Sequence, residues 1–169
     1  SPEATAAEAL TALASWPEPS DRDRVVGVYR PLKREIINVA SALQPVINQI
    51  LTGHQAEPVK LAAINALTQL HLDNAGESLR GLVADTKAPA KLRLEALRAL
   101  EQLKDSRLAD AAKIAQADSN ELLRKEGNRL SNELHPDEAI EQIRATLEKG
   151  SVAEKQGAIT SLATMNSTE

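Results

Sequence analysis

The residues best suited to metal binding in this chain are three histidines, His54, His71 and His135. No two of them lie four residues apart, and none belongs to a His-Glu-x-x-His pattern, in which one helix face presents two imidazoles to zinc. Each lies near a predicted helix end or turn, where an imidazole is usually exposed or bonded to carbonyl groups. The sequence therefore predicts no metal site.

Carboxylate pairs at Glu95 and Glu101, and at Glu138 and Glu141, are the candidates for acid–base chemistry. Such chemistry needs one carboxyl group in a cleft, where desolvation raises its pKa. Both pairs lie on polar faces of predicted helices, which favours solvated side chains. We predict that the chain has no catalytic residue and holds no cofactor.

Basic residues between positions 91 and 107 are a possible ridge for the phosphate groups of a nucleic acid. They are Lys91, Arg93, Arg98 and Arg107. Acidic residues interleave with them, and pairing between residues four apart on an exposed helix accounts for the pattern without a ligand. No aromatic residue that could stack on a base lies among them. We therefore expect no nucleic-acid partner.

The segment from Trp16 to Pro31 contains both aromatic residues of the chain, Trp16 and Tyr29, and three arginines. The arginines are Arg22, Arg24 and Arg30. Because this segment interrupts the helical pattern, it is the best candidate for a specific binding site. The alternative, which we prefer, is a structural cap in which both aromatic rings cover the open end of the first hairpins. This cap predicts a largely buried Trp16.

The elements that position these side chains form a repeat. Four stretches, 61–70, 94–103, 125–134 and 156–165, align with small or apolar residues at matching positions. Their first positions follow one another in steps of 33, 31 and 31. This spacing is typical of stacked helical hairpins. The predicted first helices are 57–70, 89–103, 119–134 and 151–165, and the predicted second helices are 75–84, 106–117 and 137–148.

The third copy of the repeat has polar residues, Asn128 and Ser131, where the other copies have aliphatic ones. A buried amide without a partner costs about 1–3 kcal/mol, so either the helix is shifted or these groups bond to a neighbouring helix. We favour the shift, which would bury Leu122, Leu123 and Leu130. A locally weak packing layer is the expected consequence.

The first part of the chain fits the repeat loosely. An alanine-rich helix is predicted from Pro2 to about Ser15, and a second from Lys33 to Leu51, kinked or broken at Gln44 because Pro45 follows. Gly53 is its predicted stop. We predict one domain over 1–169, with an irregular repeat or cap and an insertion at 1–56 and regular hairpins at 57–169.

Composition limits the classes of partner. The net charge of −4 comes from 20 basic and 24 acidic residues that are interspersed, which argues against binding to nucleic acid or anionic membranes. Cysteine is absent, and no apolar run is long enough to cross a membrane, so we expect no direct membrane insertion. The missing initiator methionine and the final half hairpin suggest a fragment of a longer chain.

The hairpin length, the small and aliphatic columns, and the turn aspartates Asp73, Asp105 and Asp137 together resemble HEAT repeats or their shorter bacterial form. The clearest copy is LRLEALRALEQLKDSRL, at 92–108, and the resemblance covers about 57–165. It implies an all-α fold: a HEAT/armadillo-like solenoid, or α–α superhelix, of about five helical hairpins. The repeat is set by packing and names no ligand.

A narrower resemblance rests on the N-terminal stretch ASWPEPSDRDRVVGVYRPL, at 14–32, followed by such hairpins. This combination is similar to the helical region of large planctomycete and verrucomicrobial membrane-bound, sorbosone-type dehydrogenases that also bind haem. The resemblance implies redox chemistry outside this chain, since no Cys-x-x-Cys-His motif is present. It also implies a periplasmic or cell-envelope location.

Together these patterns predict a non-catalytic scaffold that binds a protein or neighbouring domains of the same chain. The second helices normally line the concave face of such a solenoid, and their outward-facing residues would then contact the partner. These are Ser78, Arg80, Asp110, Lys113, Glu141 and Arg144, with Trp16, Tyr29 and the N-terminal arginines as further candidates. The alternative is a HEAT-like enzyme or nucleic-acid-binding fold, of the lyase or DNA-repair glycosylase type, which would need a cleft with convergent polar groups.

Overall fold

A computed structural model describes residues 1–17, 26–29, 39–149 and 152–165 of the chain. Within these ranges the chain forms helices and no strands, which confirms the predicted all-α class. The helices are α1 (Pro2–Ala14), α2 (Val39–Thr52), α3 (Glu57–Gln69), α4 (Gly76–Ala84), α5 (Ala90–Gln102), α6 (Leu108–Gln116), α7 (Glu121–Leu134), α8 (Pro136–Lys149) and α9 (Val152–Met165). A short 3₁₀ turn, Asp73–Ala75, precedes α4.

Local chemistry explains where these helices begin and end. Ser1 Oγ accepts a hydrogen bond from the Ala4 N–H at the start of α1, and the Asn120 side chain accepts from the N–H groups of Leu122 and Leu123 at the start of α7. From α3 to α9, the predicted boundaries lie within two residues of the observed ones. Capping groups and apolar spacing are local signals, which is why the sequence indicates them well.

Of the kink or break predicted at Gln44, the break is wrong, because α2 continues through Pro45 to Thr52. Proline removes one helical hydrogen bond, but Pro45 lies on the exposed side of α2. The opposite side of α2 is anchored in the core by Val39, Leu43, Ile47 and Leu51. The predicted stop at Gly53 is confirmed, and residues 33–38 of the predicted helix lie outside the described ranges.

The helices pack in two rows. In one row α1 contacts α3, α3 contacts α5 and α5 contacts α7; in the other, α2 contacts α4 and α4 contacts α6. The rows are joined by contacts such as those of α4 with α5 and α6 with α7. One hydrophobic cluster runs between the rows from Leu10 in α1 to Leu130 in α7.

The third repeat keeps its register, contrary to the shift that we favoured. Leu123 and Leu130 are buried as expected, but Leu122 is 63% exposed. Asn128 is exposed, and its Oδ1 accepts a hydrogen bond from Gln116 Nε2 at 3.1 Å. Asn128 is therefore accommodated by a bond to α6, which was the alternative, while Ser131 is partly exposed. The buried stripe of α7 is narrower than those of α3 and α5.

The narrow buried stripe of α7 goes with a close approach between α6 and α7 at Gly127. A Cβ atom added at Gly127 in α7 would lie 2.6 Å from the backbone nitrogen of Gln116 and 2.8 Å from the carbonyl oxygen of Ala112. Those distances leave no room for a side chain, although the equivalent positions in α3 and α5 are the buried alanines Ala63 and Ala96. Glycine thus lets α6 and α7 approach more closely than the earlier pairs can.

Candidate interaction site

Of the two N-terminal candidates that the structure describes, Trp16 packs against the hydrophobic core, where it is partly buried. Tyr29 is 67% exposed, and Val26 and Val28 beside it are exposed too. Tyr29 therefore does not take part in the predicted cap. Arg22, Arg24 and Arg30 lie outside the described residues.

The second helices present one basic residue each at matching positions. Arg80 in α4, Lys113 in α6 and Arg144 in α8 follow one another in the same steps as the apolar columns. An acidic residue lies three positions before each of them. These residues are Glu77, Asp110 and Glu141. The pattern gives an acidic stripe beside a basic stripe; we call the six residues the charged stripes.

The charged stripes face solvent. Arg80 is partly exposed and the other five residues are exposed. The Arg144 guanidinium donates to Glu141 Oε1 at 2.9 Å within α8, while Glu77 is 3.9 Å from Arg107. Exposed pairs of this kind contribute at most about 1 kcal/mol to stability, so they are poorly explained as structural supports.

A second basic column lies on the first helices and has a different environment. Its members are Lys60, Arg93, Arg124 and Lys155, which again follow the steps of the repeat. Arg93 Nε and Nη2 donate to the Val83 carbonyl oxygen at 3.0 and 2.9 Å. Nη2 also forms a short ion pair with Asp118, and both side chains are only 4% exposed. One guanidinium thus joins the end of α4, the start of α5 and the turn before α7.

Three of the four basic residues of the possible phosphate ridge pair with carboxylates of the chain itself. Arg93 is buried, and Arg98 binds Glu95 at 3.0 Å and Glu126 of α7 at 3.4 Å. Arg107 lies 3.5 Å from Asp105. The interleaved acidic residues explain the pattern as we expected, but several partners come from other helices or turns rather than from positions four residues away.

A network of ion pairs connects α5 with α7 around Arg129. Its guanidinium donates to Glu101 at 2.7 Å and to Glu126 at 3.1 Å. It also donates to Glu133 at 2.8 Å. The hydrogen bond from Arg129 lowers the pKa of Glu126, and the bond to Glu101 is the main cause that raises the pKa of Arg129. Both groups stay charged at neutral pH.

The pKa of Asp118 is also lowered. Burial opposes this shift because it disfavours the charged carboxylate, but hydrogen bonds from the Asn120 N–H and from Arg93 outweigh it. Asp118 Oδ1 accepts the Asn120 N–H at 2.8 Å, while Oδ2 pairs with Arg93. The carboxylate is therefore a structural group held in its ionised form.

Acidification is expected to destabilise the protein through Asp118 and Glu126. Their folded pKa values lie below the unfolded values of about 3.9 and 4.3, so the folded chain binds fewer protons. This contribution is complete above about pH 5 and is lost as the pH falls through the folded pKa values. Urea denaturation between neutral pH and about pH 3 measures it. The double variant D118N/E126Q should show a flatter pH profile; equal slopes would contradict the assignment.

The histidines have turn positions. His54 follows α2 and is exposed, and His135 directly follows the last residue of α7. His71 has φ 50° after α3, and Lys104 has φ 52° in the corresponding turn after α5, so this backbone geometry belongs to the repeat. Among the residues that the structure describes, no group of three or more histidine and carboxylate side chains could hold a metal ion.

The carboxylate pairs considered for acid–base chemistry are either exposed or bound to an arginine. Glu138 and Glu141 are exposed, and Glu95 pairs with Arg98.

None of the described helices is both long enough and apolar enough to cross a membrane.

No protein-family model, curated protein or solved structure matches this chain. The repeat was predicted from small and apolar columns and from the turn aspartates. Asp110 and Glu141 were named as candidate contact residues, but Glu77 was not, and the basic column on the first helices was missed. The same repeat steps, applied to charged residues, would have found them.

Proposed function

We propose that this chain is a non-catalytic helical-repeat scaffold, a right-handed superhelix of hairpins, that binds a protein partner or a neighbouring domain of the same chain. The charged stripes on α4, α6 and α8 are the observation that supports this proposal. A solvated helix needs no particular charge at a particular position, whereas the stripes repeat in both sign and spacing. Since α4 contacts α6, the first two members of each stripe lie on neighbouring helices.

The distribution of the other charges favours a protein partner over a nucleic acid. Arg93, Arg98 and Arg129 are engaged with carboxylates of the chain itself. The acidic stripe lies beside the basic stripe, so the surface carries both signs of charge. Such a surface is complementary to mixed charges on a protein rather than to a row of phosphates. As the wider setting we propose the one that the resemblance implies, a multidomain redox protein of the cell envelope.

A site-specific photo-crosslink tests the proposal in cells that naturally produce the protein. Ala84 is exposed on the side of α4 that also presents Glu77 and Arg80, so a benzophenone amino acid placed there would lie beside the stripes. We expect a discrete photo-adduct with the wild-type surface. The charge-reversal variant R80E/K113E/R144E should lose it, because the basic stripe is inverted.

The matched control is K87E/K104E/K125E, which reverses three exposed lysines away from the stripes and changes the net charge by the same amount. It should keep the adduct. Circular dichroism would confirm that both variants fold. An adduct that survives the stripe reversal, or one that is lost equally in the control, would contradict docking on the second helices.

A further inference from the structure

A cleft of about 570 Å³ with a mixed polar and apolar lining lies where the end of α2 meets the start of α3 and the middle of α4. Its lining includes Lys60, Glu77 and Asp85, and Gly81 contributes bare backbone. The size is within the range of sites that bind small ligands or single side chains. The cleft borders the first member of the acidic stripe, Glu77.

The repeat shows which group would complete this cleft. Lys60 and Asp85 have the same separation in sequence as Arg93 and Asp118 in the next repeat. At the second position the Arg93 guanidinium fills the junction by bonding a carbonyl oxygen of the preceding helix and the Asp118 carboxylate. At the first position lysine replaces arginine, and the junction is open.

Lys60 does not complete the junction. Within the part of the chain that the structure describes, its ammonium group makes no hydrogen bond or ion pair. Lysine has a single compact charge, whereas arginine offers donors in a planar fork that reaches two acceptors together. Asp85 therefore faces the cleft with one oxygen bound only by the Lys87 N–H at 3.0 Å.

The remaining groups make the cleft rich in acceptors. Glu77 is exposed, and its Oε2 forms a long ion pair of 3.9 Å with Nη1 of Arg107, a residue outside the cleft lining. Asp85 is therefore the main acidic group of the cleft, and the last turn of α2 has no basic residue to offset its free carbonyl groups. The two carboxylates outnumber the one ammonium group. A cationic group with several N–H donors complements this lining better than an anion does.

The walls of the cleft are already in place. Asn48 Oδ1 accepts a hydrogen bond from Ser78 Oγ at 3.0 Å, which fixes α2 against α4. A Cβ atom added at Gly81 would have no atom within 4 Å, so an incoming side chain can lie along the backbone of α4. A preformed site loses little entropy on binding.

We propose that this cleft receives an arginine side chain of the protein partner, whose guanidinium binds Asp85 as Arg93 binds Asp118. The inference rests on the proposed docking function and specifies the chemistry of the partner at one point of contact. The charged stripes would then contact residues that flank this arginine.

A titration of the whole chain with N-acetyl-arginine methylamide tests the cleft without a partner. This probe has a guanidinium and no carboxylate. We expect saturable shifts in the backbone amide resonances of Lys60, Gly81 and Asp85. The D85N variant should bind about threefold to fivefold more weakly, because the exposed carboxylate that pairs with the guanidinium is lost. D85N should still fold, because its amide oxygen can accept the Lys87 N–H.

Two further variants, K60M and D110N, show whether the cleft selects a cationic probe. K60M should bind the probe as well as the wild type or better, because a like charge is removed, and the D110N control on α6 should bind normally. Loss of binding in K60M, stronger binding of N-acetyl-aspartate methylamide, an unchanged D85N or the absence of saturable shifts would overturn the proposal. None of these outcomes affects the photo-adduct at Ala84, so the two proposals can fail separately.

Discussion

Replacing Arg93 with methionine is expected to lower the free energy of unfolding by about 3–5 kcal/mol. Methionine retains much of the aliphatic volume but leaves the buried Asp118 carboxylate without its cation and the Val83 carbonyl without its donors. Chemical denaturation followed by circular dichroism measures the loss. The size of this effect would be unusual for a charged residue on an amphipathic helix.

The matched control is R98M, on the same helix. Arg98 also pairs with carboxylates, but its side chain is 48% exposed, so we expect a loss of no more than about 1 kcal/mol. The double variant R93M/D118N should recover part of the stability because the isolated buried charge is gone. An R93M variant no less stable than R98M would show that the Arg93–Asp118 pair does not hold the two repeats together.

Replacing Gly127 with alanine is expected to lower the free energy of unfolding by about 1–3 kcal/mol, the usual cost of overpacking. The direction is opposite to helix propensity, by which alanine is favoured over glycine by about 1 kcal/mol. The added methyl group would meet backbone atoms of α6 at 2.6 and 2.8 Å, and a backbone cannot move aside as a flexible side chain can. Denaturation midpoints provide the measurement.

G81A is the control for this second substitution. Gly81 also lies inside a helix, but no atom is within 4 Å of the added Cβ, so propensity alone should act. We expect a gain of up to about 1 kcal/mol. If both alanine variants gained stability, the close approach of α6 to α7 would not be the reason for glycine at position 127.

The helices and their ends could be predicted because they depend on neighbours in sequence. Apolar residues three and four apart, together with turn residues, indicated α3 to α9 closely. The break expected at Gln44 failed for a tertiary reason, since the buried face of α2 outweighs one lost hydrogen bond at Pro45.

The environment of each polar residue could not be predicted in the same way. Arg93 and Arg98 look equivalent in the sequence, yet the Arg93 side chain is buried between three elements and the Arg98 side chain is 48% exposed. In the same way, the exposure of Leu122 and the bond of Asn128 follow from how closely α6 approaches α7. Such distances depend on packing between helices, which spacing within one helix does not encode. The proposed partner remains a prediction.

The position of Arg93 also bears on how the molecule unfolds. Repeat proteins usually unravel from their ends, because each hairpin contacts only its neighbours. Arg93 connects the last turn of α4 with the turn after α6. Neither the hairpin of α3 and α4 nor that of α5 and α6 can therefore open without exposing a buried charge. The stretch from 83 to 118 should therefore melt as one cooperative unit, with fraying confined to the hairpins on either side.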